Sequence, residues 1–121
     1  MKPELLTHPT AEATTLAAMR DDAELAVQLA ETLDMADYST PQYQAIFEAI
    51  KRLAASLEPL DAQSIADEAL RVVKELKLKT VITPEFVSAL TGDPRRAVAY
   101  AATVKRRSWL RKASDVATWI L

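Results

Sequence analysis

Three groups of carboxylates, Asp21-Asp22, Asp34 with Asp37, and Asp67-Glu68, are the only clusters from which a general acid and base could be drawn. Capping and loop chemistry account for Asp21 and Asp34, and a solvated helix face accounts for Asp67 and Glu68. No paired acid and base is left over. His8 is the single histidine and cysteine is absent, which rules out multi-histidine metal centres, thiolate sites, disulfides and cysteine nucleophiles. The serines and threonines therefore have no base to activate them, since His8 sits on the lead-in to the first helix with no partner near it in sequence. Gly92 is the only glycine. A phosphate-binding Walker loop needs two glycines and a dinucleotide-binding turn three, because the backbone must approach phosphate closely. The chain is expected to carry no catalytic residue, no cofactor site and no metal site.

Charge is distributed unevenly. The 121 residues include 15 Lys/Arg and 17 Asp/Glu, a net of −2. Residues 1–93 hold 8 basic and 16 acidic side chains, a net of −8, and residues 94–121 hold 7 basic and one acidic, a net of +6. The plain reading is a solvated helix that offsets the charge of its own body. The sharper reading is a docking surface for an acidic partner or single-stranded DNA through Arg106, Arg107, Arg111 and Lys112. No apolar run approaches the ~18 residues of a membrane span. Lys2, Glu4, His8 and Glu12 interrupt any apolar leader, so a soluble cytoplasmic protein with no membrane partner is expected.

The elements that would position these residues read as six helices with no strand. The first spans about Thr10 to Met19 and turns Leu16 and Met19 inward. Asp21 is expected to cap the second, with Glu24 completing a capping box and Leu25, Leu29 and Leu33 on one face. Thr40 and Pro41 open the third, whose stripe is Tyr43, Ile46, Phe47, Ile50, Leu53, Ala54 and Leu57. Glu58-Pro59-Leu60 ends it. Asp61 caps the fourth, from about Ala62 to Leu76, with Ile65, Ala69, Val72, Val73 and Leu76 inward and Lys77-Leu78-Lys79 fraying its end. Thr83 and Pro84 open a short fifth helix that buries Phe86 and Leu90, and Gly92 is expected to stop it in a left-handed conformation. Asp93 and Pro94 then start a last helix that runs to Leu121, roughly 42 Å long at 1.5 Å per residue.

That last helix changes face. Ala97, Tyr100, Ala101 and Val104 cluster on one side; Trp109, Leu110, Ala113, Val116 and Ile120 cluster on roughly the other. The first set suits the helix's own head, and the second requires another surface. The reading is a single domain with a helical head at 1–104 and a helical extension at 105–121. The extension carries a self-association surface at Trp109, Leu110, Ala113, Val116 and Ile120.

In order and spacing, Asp37-Tyr38, Pro41, Ile46-Phe47-Glu48-Ala49-Ile50 and Glu58-Pro59-Leu60-Asp61 resemble the N-terminal domain of DnaB-type replicative DNA helicases. The resemblance extends to Ala11-Glu12 with Leu16, to Phe86 with Leu90, and to Tyr100-Ala101, Val104 and Arg111. It implies an all-α bundle of about six helices whose long C-terminal helix projects as the first arm of a dimerisation hairpin. It also implies assembly and partner docking: dimers within a hexameric ring, contact with primase and a helicase loader, and weak contact with single-stranded DNA. The resemblance places ATP, Mg and helicase activity in a motor domain beyond Leu121. Ala17, Ala18, Ala55 and Leu57 stand where the family usually has glycines, Tyr43 where it has histidine, and Arg106 where it tends to be acidic. These departures suggest a divergent, phage-encoded member. Two other readings are a stand-alone helical adaptor that binds a helicase and a small DNA-binding protein using the basic helix. For the latter, no turn-plus-recognition-helix pattern is present.

Overall fold

Helix α1 (Pro9–Asp21) runs through the middle of the head, lying against three other helices. The computed structural model describes residues 6–120, with side chains through residue 115. Around α1 are α2 (Ala23–Thr32), α3 (Pro41–Ala55) and the long α6 (Ala97–Ile120), while α4 (Ala62–Leu76) covers α3 and the short α5 (Pro84–Ala89) rests on α4. Three-residue 3₁₀ turns at Met35–Asp37 and Pro94–Arg96 precede α3 and α6. No strand occurs among the described residues. Leu16, Met19, Leu29, Leu33, Tyr38, Ile46, Phe47, Ile50, Ile65 and Val72 form one continuous core. The all-helical fold with a long last helix is the one anticipated.

The helix starts follow local chemistry. The hydroxyls of Thr40 and Thr83 accept from Tyr43 N and Phe86 N at 3.2 and 3.1 Å, each followed by proline at the first helical position. Asp61 caps α4 through Ser64 N at 2.9 Å. Two starts differ from expectation. His8 does have a partner: its Nδ1 accepts from Ala11 N at 3.0 Å, capping α1, and its ring lies 5.6 Å from that of Tyr100. Asp22, not Asp21, caps α2, accepting from Glu24 N and Leu25 N at 3.0 and 3.2 Å. A single extended residue separates the two helices, so α1 runs on through Asp21, which instead pairs with Arg20 at 2.8 Å.

The helix ends depart further. Leu57, on the stripe that the period of α3 directs inward, is 94% exposed. The helix stops at Ala55 and Leu57 turns left-handed at φ 57°, so the rotation per residue that defined the stripe no longer applies. Glu58 N then bonds Leu53 O at 2.9 Å, closing a Schellman-type end. At the end of α4, Lys77 (φ 55°) does the same with Leu78 N on Val73 O at 3.0 Å, which caps the helix where fraying was expected and leaves Leu76 half exposed. Leucine at a left-handed position with no packing to lose is a removable cost. Leu57→Gly is expected to stabilise the domain by about 0.5–1 kcal/mol in urea unfolding, and a destabilised variant would contradict this account.

Gly92 is not left-handed, because no glycine has positive φ. Helix α5 is closed instead by Arg20, whose Nη1 donates to Val87 O and Leu90 O, both at 2.7 Å. Glycine is needed for a different reason: a Cβ there would lie 2.2 Å from Thr14 Oγ1.

Candidate interaction surface on the last helix

Helix α6 begins conventionally. Ala97, Ala101 and Val104 are buried against the head and Tyr100 is half buried, as the 3.6-residue period requires. One turn further on, the inward position is Ser108, also buried, and the residues beside it are basic. What they meet is the Met35–Asp37 turn and the lead-in to α1. Lys105 Nζ donates to Asp37 Oδ2 at 2.9 Å and to Asp34 Oδ2 at 3.4 Å. Arg111 donates through Nη2 to Asp37 O at 2.7 Å and through Nη1 to Leu6 O at 2.8 Å. Arg107 Nη1 reaches Thr7 O at 3.5 Å, and Lys112 Nζ lies 3.9 Å from Asp37 Oδ1.

Asp37 is the hub of this contact. Its side chain is fully enclosed, and its Oδ2 also accepts from Asp34 N at 2.8 Å in a reciprocal capping box. Burial pushes its carboxyl pKa up. The Asp34 amide, the Ser108 hydroxyl and Lys105 together outweigh that, and the group stays below the usual carboxylate range. The Ser108 hydroxyl is itself buried, and its interaction with the carboxylate is one of the contributions that keep Asp37 ionised. Lys105 is in turn held above its ordinary value, chiefly by its bond to Asp37. The acidic body and basic helix seen in the sequence thus meet at Asp34 and Asp37.

The four basic residues proposed for partner contact therefore differ in placement. Arg107 and Arg111 face carbonyls of their own chain, Lys112 leans toward Asp37 while remaining largely exposed, and Arg106 is exposed. Of the proposed pairing residues, Trp109 is 66% exposed, Ala113 is exposed and Leu110 is half buried. The side chains of Val116 and Ile120 lie outside the described residues. Sequence reasoning missed the start of this face. Val98 is 55% exposed and Ala102 is exposed, and at 100° per residue both fall within about 60° of Trp109 and Ala113. The signal was present in the periodicity but was overshadowed by the inward stripe on the same turns.

Among the described residues no group of three or more His, Cys, Asp or Glu is placed to hold a metal ion, and no helix is long and apolar enough to cross a membrane. The cleft between α3 and α4 holds charges of both signs, including Arg52, Glu68 and Arg71, and Arg52 is engaged by Glu75 at 2.8 Å.

The described residues thus form an all-helical head with a long last helix that leaves Val98, Ala102, Trp109 and Ala113 exposed on one face. The chain matches the DnaB-like helicase N terminal domain family over residues 4–106, and it belongs to that family. Its fold is similar to that in the crystal structure of the N-terminal domain of DnaB helicase from Mycobacterium tuberculosis. That likeness has a TM-score of 0.77 at 22% identity, and it covers 94% of this chain and 83% of the other. A comparison with curated proteins gives no match.

Proposed function

We propose that this helicase N-terminal domain serves assembly, pairing with a second copy through the outer face of α6. The observation that carries the reading is Trp109, two-thirds exposed on a helix whose opposite side is fastened to the head by Asp37. Val98, Ala102 and Ala113 extend the same face. Burying one large apolar side chain contributes on the order of 1.5–3 kcal/mol, so a tryptophan and its neighbours from each copy are enough to sustain a dimer. Arg106 and Lys112 flank the seam and repel their symmetry mates, so pairing should depend on salt.

In a parent helicase such pairs would build the hexameric ring, and primase, a helicase loader and weakly held single-stranded DNA would be the external partners. The support for these is family membership together with the exposed Arg106 and Lys112. ATP and Mg would belong to the motor of the parent, not to this chain.

The test is Trp109→Ala with Ala113→Asp, followed by sedimentation velocity and circular dichroism. The expected result is a monomer with unchanged helicity where the wild-type chain forms a dimer. A variant that still pairs, or one that loses its helices, would remove the outer face from consideration.

A further inference from the structure

Past Val104, α6 has no buried apolar side chain among the described residues, yet it stays against the head through Lys112. We infer that Asp37, Lys105 and Arg111 form a polar clasp that sets the direction in which α6 leaves the head, and that this clasp opens without unfolding the domain.

Three observations carry the inference. The apolar anchor of α6 is confined to its first turns, at Ala97, Ala101 and Val104, which makes that end a pivot. From Lys105 onward the bonds to the head are directional and polar: Lys105 to the Asp37 carboxylate, and Arg111 bridging two carbonyls from different segments, Leu6 and Asp37. Finally, the clasp is incompletely satisfied. Asp37 Oδ1 is buried and makes no hydrogen bond of good geometry, and Lys112 stands off it at 3.9 Å. A half-satisfied buried carboxylate lowers the advantage of the closed arrangement, because opening returns that oxygen to water. Lys105 is partly exposed already, so releasing it disturbs no core side chain. A pivot at one end and a marginal polar contact beyond it together make an adjustable arm. The inference concerns the same helix as the pairing proposal but does not depend on what its outer face binds.

The chain has no cysteine, so spin labels can be placed uniquely at Glu24→Cys on α2 and Asp115→Cys on α6, both exposed positions. Pulsed electron–electron distance measurements, with labelled protein diluted into unlabelled protein, report the head-to-arm distance within one chain. Two variants are compared with the wild-type chain. Arg111→Gln removes the two carbonyl bonds, and Asp37→Asn keeps the shape and the Asp34 contact but removes the charge. A distance distribution about twofold wider in both, with unchanged circular dichroism and an unchanged urea m-value, is the expected result. Distributions as narrow as the wild type in both variants would overturn the clasp. Loss of helicity in both would overturn it too, since Asp37 and Arg111 would then belong to the core that holds the fold together.

Discussion

Glu12→Ala is expected to cost the domain about 3 kcal/mol, more than a surface glutamate on a helix has any right to. Glu12 sits in the first turn of α1 but is 1% exposed. Its Oε1 accepts from Ser39 N at 2.6 Å and its Oε2 from Ser39 Oγ at 2.8 Å. Alanine would leave a half-buried N–H without its partner and a void where the enclosed glutamate side chain was. Glu12→Gln should lose only about 1 kcal/mol, because an amide oxygen can still accept from Ser39 N and its NH₂ can donate to the hydroxyl. The Glu12 charge also helps hold the phenol of Tyr43 above its ordinary range, second to burial itself. The same Gln variant should therefore ease the ionisation of Tyr43 in a spectroscopic titration. Equal stability of wild type and Glu12→Ala in urea would show that this carboxylate is not the tie between α1 and the segment leading to α3.

Gly92→Ala is the second large effect, expected to destabilise by about 2–3 kcal/mol. On an exposed loop residue with negative φ, a methyl group ordinarily changes little. Here the new Cβ would sit 2.2 Å from Thr14 Oγ1 and 2.7 Å from Thr14 Cα. The first contact could be removed by trimming Thr14, but the second is with backbone of the central helix and cannot be. Gly92→Ala combined with Thr14→Ala should accordingly remain destabilised relative to Thr14→Ala alone. Full recovery in the double variant would mean the loop moves away at little cost, and the close approach would no longer explain the glycine.

Both effects involve α1, and both were invisible in the linear pattern. A glutamate in the first turn of a helix reads as a favourable charge near the N-terminal end of the macrodipole, and nothing in the spacing says that Ser39 closes over it. The resemblance did single out Ala11-Glu12 and Asp37-Tyr38, and the structure brings the two motifs together. Glu12 holds Ser39, while the Tyr38 hydroxyl lies 2.9 Å from Thr15 Oγ1. Burial drives the Tyr38 phenol far above its ordinary range, with the Thr15 bond opposing it. Asp37 on the same turn faces outward from α1 and takes Lys105. With Gln44 Nε2 of α3 donating to Tyr38 O at 3.0 Å, one short segment thus ties α1, α3 and α6.

What the sequence determined alone was the helices themselves and most of the core. Thr40-Pro41, Asp61 and Thr83-Pro84 act within three residues of themselves, and the stripes in α3 and α4 repeat within a few turns, so these signals need no knowledge of distant parts. They identified Ile46, Phe47, Ile50, Ile65 and Val72 correctly, and the changed face of α6 pointed to Trp109. The tertiary structure alone decided which polar groups would be enclosed and which residues closed the helix ends. Arg20 closing α5, Lys105 and Arg111 on Asp37, and Thr14 against Gly92 join residues 67 to 78 positions apart in sequence. Hydrogen bonds and close contacts at that separation depend on how packed helices are oriented to within a few ångströms, and no local period encodes that orientation.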